Sequence, residues 1–169
     1  MMISSQEIAK GLLEAMKSEV DGYNFYMMAS KSTQDPQGKS VFERLAQEEK
    51  EHAQFLKAQY QSIIETGEIT SSIQLTKTSF NTTSPIFSDE IKSRIKDIHY
   101  EMTALSVGIQ LEYSAVQFYK SQADKIEDTK IKAFYKELAD WEATHYQILL
   151  KQQESLKEEY WNQGDFSPF

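Results

Sequence analysis

Apolar positions along the chain recur at spacings of three and four, and this period marks four long helices. The first stripe runs Ala9, Leu12, Met16, Glu19, Tyr23, Tyr26 and Ser30. The second runs Phe42, Leu45, Glu49, His52 and Leu56, with Tyr60 and Ile63 continuing it. The third runs Ile98, Met102, Leu105, Ile109, Glu112, Val116, Tyr119 and Ala123. The fourth runs Ile131, Tyr135, Leu138, Glu142, His145, Leu149, Gln152 and Leu156. Breaks at Gln34-Asp35-Pro36-Gln37-Gly38 and at Glu127-Asp128-Thr129 are short, as connections between antiparallel neighbours are.

From about Thr66 to Ser88 the period stops and Ser, Thr and Asn dominate. A patternless segment of that length is uncommon in a compact domain unless it has a task. A crossover along the bundle is one: at about 3.3 Å per residue, roughly 20 residues extend to about 65 Å. Such a connection makes helices 2 and 3 parallel. The predicted fold is therefore all-α, a four-helix bundle with one long crossover between helices 2 and 3. Ser88-Asp89-Glu90 reads as the N-terminal cap of helix 3. The bundle is expected over 1–160, its halves at about 5–65 and 88–160 joined by a loop over 66–88. The aromatic tail 161–169 is left to pack on the bundle or on a second subunit.

The two halves repeat each other at an offset of 93 residues. Leu12, Phe25, Tyr26, Leu45, Ala46 and Leu56 recur as Leu105, Phe118, Tyr119, Leu138, Ala139 and Leu149. So do Glu19, Glu49 and His52, as Glu112, Glu142 and His145, and all six sit inside an apolar stripe. The turns are centred near residues 34 and 127, midway between the two Glu of each half. Fifteen residues from a turn, at about 1.5 Å rise each, both carboxylates of a hairpin reach the same height, roughly 22 Å along. Each Glu-x-x-His pair lies on one face, with Cβ atoms about 5–6 Å apart.

One Glu from each of two helices plus Glu-x-x-His from each of the other two is the ligand set of di-iron and di-manganese bundles. Four carboxylates balance two divalent cations, and neutral imidazoles add no charge. Without cations, four buried carboxylates would repel one another, at a cost of several kcal/mol each. Oxygen-rich ligation without sulfur suits iron or manganese better than structural zinc. A buried salt-bridge network is the plain alternative, but it would place Lys or Arg in the stripes, and none is there. With 18 Glu in 169 residues, a chance Glu at any one offset from a His is roughly one in ten, so a single pair would be weak. Two pairs in register, each preceded thirty residues earlier by another Glu, are not.

Composition narrows the function further. Net charge is −8, from 18 basic and 26 acidic residues, which argues against nucleic acid or an anionic membrane as partner. No apolar run is long enough to span a bilayer, and the N-terminal residues lack a signal-peptide core, so a cytoplasmic location is expected. Cys is absent, which removes disulfides, thiol nucleophiles and Fe–S clusters from these residues. His99 has no Glu-x-x-His partner and reads as a surface or packing residue. Glu48 and Glu51 lie off the stripe and are expected in solvent. Tyr23, Tyr26 and Tyr119 lie on the ligand face, either packed there or hydrogen-bonded to a ligand carboxylate. Asp140 is a candidate partner for an imidazole, and Trp141 and Trp161 are expected to pack.

The segments 45–52 (LAQEEKEH) and 111–119 (LEYSAVQFY) resemble the rubrerythrin branch of the ferritin-like superfamily, and the similarity covers nearly the whole chain. The resemblance implies a ferritin-like bundle with a crossover, a non-haem centre of two iron ions (manganese being the alternative), and a homodimer. It implies reaction with hydrogen peroxide or dioxygen, with Glu19, Glu49, His52, Glu112, Glu142 and His145 as ligands and Glu49 and Glu142 bridging. Two departures matter. With no Cys there is no rubredoxin module here, so electrons must come from a separate, rubredoxin-like donor. The extra Glu expected three residues after Glu112 is Ala115, which moves the site toward a ferritin-type arrangement and admits ferroxidase chemistry as the alternative.

Overall fold

A computed structural model gives the architecture and describes residues 4–71, 74, 75, 80 and 84–163. Four α-helices, α1 (Ser5–Ser32), α2 (Pro36–Thr66), α3 (His99–Lys125) and α4 (Thr129–Gln163), form the bundle, and no strand occurs among the described residues. Every position in the four predicted stripes is buried or half-buried. That accounts for the helices energetically, since amphipathic burial rather than propensity stabilises most helices in proteins.

Local chemistry sets the helix ends. Ser4 and Glu7 form a capping box at the start of α1. Asp35 caps α2, with Pro36 in its first turn, and the helix stops at Gly67 in the left-handed conformation, φ 76°. Asp128 Oδ1 accepts from the amides of Lys130 and Ile131 at the start of α4.

The segment between α2 and α3 crosses the length of the bundle. Near its start, Gln59 donates to the Thr70 carbonyl and accepts from the Thr70 amide, both at 2.9 Å. Near its end, Gln152 Oε1 accepts from the amides of Ile86 and Phe87 at 2.6 and 3.2 Å. Gln59 and Gln152 are themselves 93 residues apart, so equivalent side chains of the two halves tie down the two ends of one crossover. Asp35 then accepts from the Ser88 amide and hydroxyl, and Thr33 donates to Glu101 at 3.1 Å. The chain has thus returned to the beginning of α2 before α3 starts, which makes α2 and α3 parallel. Gly38 belongs to this junction: a Cβ there would run into the Phe87 ring.

Two boundaries differ from those read in the sequence. Ser88 does not cap α3; it precedes a short 3-10 helix, Asp89–Arg94, and α3 begins only at His99. Ser88 stands at the N-cap position of that 3-10 helix, but its side chain makes no cap hydrogen bond and turns to Asp35 instead. Ile91, Ile95 and Ile98 are buried, so the approach to α3 packs before it becomes α-helical. At the other end α4 continues to Gln163 with Trp161 exposed, and 164–169 lie outside the described residues.

The core divides into two apolar layers. One contains Leu12, Ala15, Leu56, Tyr119, Tyr135 and Leu138; the other contains Tyr26, Phe42, Leu45, Leu105 and Leu149. The ionisable residues of the stripes lie between these layers in sequence order on every helix, shielded from water on both sides.

Candidate metal centre

The packing of α1 on α2 and of α3 on α4 brings all six stripe residues together. Each is buried, with at most 4% of its surface exposed. They form two groups that could each hold an ion: Glu19, Glu49, His52 and Glu142, and Glu49, Glu112, Glu142 and His145. Within each group one donor atom per residue lies within 4.8 Å of all the others. Glu49 and Glu142 belong to both groups, so each could serve an ion in either. The imidazole rings lie nearly parallel, 5.7 Å apart between centroids.

Both histidines turn Nδ1 to the cluster. His52 Nδ1 is 3.0 Å from Glu142 and 3.2 Å from Glu19; His145 Nδ1 is 3.0 Å from Glu49 and 3.5 Å from Glu112. Tyr26 donates its hydroxyl to Glu112, and Tyr119 donates to Glu19. These pairs are exchanged by the 93-residue repeat, so each half of the chain orients a carboxylate of the other.

Protons alone satisfy this cluster poorly. Burial and repulsion from Glu142, Glu19 and Glu112 hold the Glu49 carboxyl well above its ordinary range. Burial and the Glu19 carboxylate push Glu142 up to about 8. Burial opposes the charged imidazoles, yet facing carboxylates win: Glu142 raises His52 and Glu112 raises His145 well above 6.5. Glu19 alone goes down, because hydrogen bonds from Glu49, His52 and Tyr119 outweigh its burial. Even so, the buried Glu49 Oε1 and His145 Nδ1 face each other at 3.0 Å, and Glu142 Oε1 faces His52 Nδ1 at 3.0 Å, as close charge contacts without the alignment of a hydrogen bond. Leaving buried atoms without a hydrogen bond costs about 1–3 kcal/mol each, more when charged. Unsatisfied oxygen and nitrogen donors converging on two points fit a pair of divalent cations.

Other expected partners fall differently. Tyr23 is half-buried and packs in the apolar layer beside Tyr26 and Phe42, with no hydrogen bond to a ligand among the described residues. Asp140 is exposed on α4 and does not reach an imidazole, because it projects from the solvent side of the helix. Glu48, expected in solvent, takes that role instead: it is half-buried, and its Oε2 accepts from His145 Nε2 at 2.8 Å. Its flexible side chain spans the offset from the stripe, which periodicity does not register. Glu51 is half-buried and accepts from Gln47 on its own helix. Trp141 is buried and its indole stacks on His52, 5.3 Å between centroids. His99 is exposed, as expected.

Comparison with curated proteins found no match, and comparison with solved structures found none. A family model does match: the one described as Rubrerythrin aligns in two segments, residues 10–104 and 103–164. Together with the buried carboxylate–imidazole cluster, this points to a di-iron protein. The chain belongs to the rubrerythrin family.

Proposed function

We propose that this protein reduces hydrogen peroxide to water at a pair of iron ions held by Glu19, Glu49, His52, Glu112, Glu142 and His145. The observation that supports the reading is the pair of buried carboxylate–imidazole groups sharing Glu49 and Glu142, which could hold two cations side by side. Iron bound there supplies the redox change and the Lewis acidity.

The chain's own residues supply the rest. Tyr26 and Tyr119 fix the rotamers of Glu112 and Glu19. Glu48 fixes the ring of His145. The apolar layers on either side exclude water, which strengthens every charge interaction within. Glu49 and Glu142, whose carboxyls hold protons in the metal-free protein, would give them up on binding cations. The balance is one peroxide, two protons and two electrons to two waters. No Cys among these 169 residues can hold a rubredoxin-type centre, so on this reading the electrons come from a donor outside them.

The test is to mix the iron(II)-loaded protein with peroxide and with dioxygen in separate stopped-flow experiments. Faster oxidation by peroxide, without radical release, supports the reading; faster oxidation by dioxygen contradicts it.

One observation favours a ferroxidase instead. Ala115 stands where an additional carboxylate would face the site, and it is buried with 8% exposed. On the peroxidase reading the protein acts as a homodimer. Light scattering separates the two: a dimer excludes a storage cage, and a large shell supports one.

A further inference from the structure

The repeat that matches the two halves at every ligand fails beside the imidazoles. His145 presents Nδ1 to the cluster while its Nε2 donates to Glu48 Oε2 at 2.8 Å. Glu48 belongs to α2, one residue before Glu49, and reaches across to α4 with 14% of its side chain exposed. The residue 93 positions later is Trp141. Its indole lies against His52, 5.3 Å between centroids and 22° from parallel. His52 also presents Nδ1 to the cluster, but its Nε2 has no hydrogen-bond partner among the described residues. Equivalent places in the two halves therefore hold a carboxylate acceptor for one imidazole and an indole for the other.

We propose that Glu48 is a positioning residue that makes the two metal positions unequal. The group of Glu49, Glu112, Glu142 and His145 takes the first divalent cation, and the group of Glu19, Glu49, His52 and Glu142 takes the second more weakly. The inference rests on reading the cluster as a metal centre.

The reason is the tautomer. A neutral imidazole can ligate through Nδ1 only while its proton is on Nε2. An acceptor at Nε2 fixes that form, fixes the ring's direction and makes Nδ1 a better donor; losing such a partner typically weakens metal binding 10–100-fold. Glu48 does this for His145. Stacking on Trp141 restrains the plane of His52 but leaves its tautomer free and offers Nε2–H nothing. The Phe80 ring, edge-on to His145 at 6.0 Å, closes the apolar wall on that side.

Titrating metal-free protein with cobalt(II), followed by calorimetry and visible absorption, tests this. The unaltered chain should bind in two steps, the first at least about tenfold tighter. Glu112→Ala should remove the first step and Glu19→Ala the second, since each serves one group only. Glu48→Leu should weaken the first step about 10–100-fold and merge the two. Glu48→Gln keeps an acceptor oxygen and should retain most of the difference. Far-UV circular dichroism of the metal-free variants checks folding, and the unaltered chain gives a result even if Glu48→Leu fails it. Two equal steps in the unaltered chain, or a first step that Glu48→Leu leaves unchanged, would overturn the role of Glu48 alone. No cobalt uptake at all would overturn the metal centre and this inference with it.

Discussion

Stripping the metals should reverse the pH dependence of stability. In the metal-free fold, Glu142 titrates at about 8 rather than at its ordinary 4.5. Glu49, His52 and His145 are likewise raised. Each of these four binds its proton more tightly folded than unfolded. Their contribution is therefore complete below the unfolded value, near 4.5 for the carboxyls and 6.5 for the imidazoles, and is lost as pH rises through the folded value. Glu19, which is lowered, works in the opposite direction. Four groups against one leave stability falling with pH.

Glu142 sets the scale. Between pH 5.5 and 8.5 it gives up about 2.3 pKa units of linkage, about 3 kcal/mol at about 1.4 kcal/mol per unit. For a domain of this size 1 kcal/mol moves Tm by about 2–4 °C, so the metal-free Tm should drop by roughly 10 °C across that range. Cations replace the protons, and their binding tightens as pH rises. The loaded protein should keep or raise its Tm over the same interval. Calorimetric melts of metal-free and anaerobically iron(II)-loaded protein at several pH values make the comparison. A metal-free Tm that stays flat or climbs from pH 5.5 to 8.5, or two curves that fall in parallel, would refute the reasoning.

Further consequences follow from single side chains. Glu142→Ala removes a residue common to both groups, so elemental analysis should find both metals lost, whereas Glu19→Ala should retain about one. Tyr119→Phe leaves Glu19 without its hydroxyl donor and should weaken metal binding at that position about tenfold or more, measured by competition with a chelator. Gln152→Ala orphans the buried amides of Ile86 and Phe87; urea unfolding should show a loss of about 1–3 kcal/mol with metal content unchanged.

Much of the fold was legible because burial has a period. The four stripes named positions that are all buried or half-buried, and the repeat aligned the six buried ionisable residues. Short-range chemistry was less legible. Ser88 looked like the cap of helix 3, but its hydroxyl turns to Asp35, 53 residues earlier, and a 3-10 helix comes before α3; no local pattern reports either. Glu48 was assigned to solvent wrongly, because a side chain one position off a stripe can still bend inward and its partner is on another helix. Asp140 failed for the converse reason: it adjoins the ligand turn in sequence yet projects into solvent. Gln59 was recoverable through its repeat: it stands 93 residues before Gln152, a polar residue inside the fourth apolar stripe that needs a partner. Tyr26 and Tyr119 could be placed on the ligand face, but only the packed helices decide whether a hydroxyl reaches a carboxylate.

The central claim is that cations hold the six side chains in the bundle interior. Crystals of protein grown with iron, measured at the iron and manganese absorption edges, test it most directly. Two anomalous peaks at mid-bundle, about 3.5–4 Å apart and flanked by Glu49 and Glu142, are expected, with the stronger edge naming the metal. A map with no peak there, or with only one, would contradict the account.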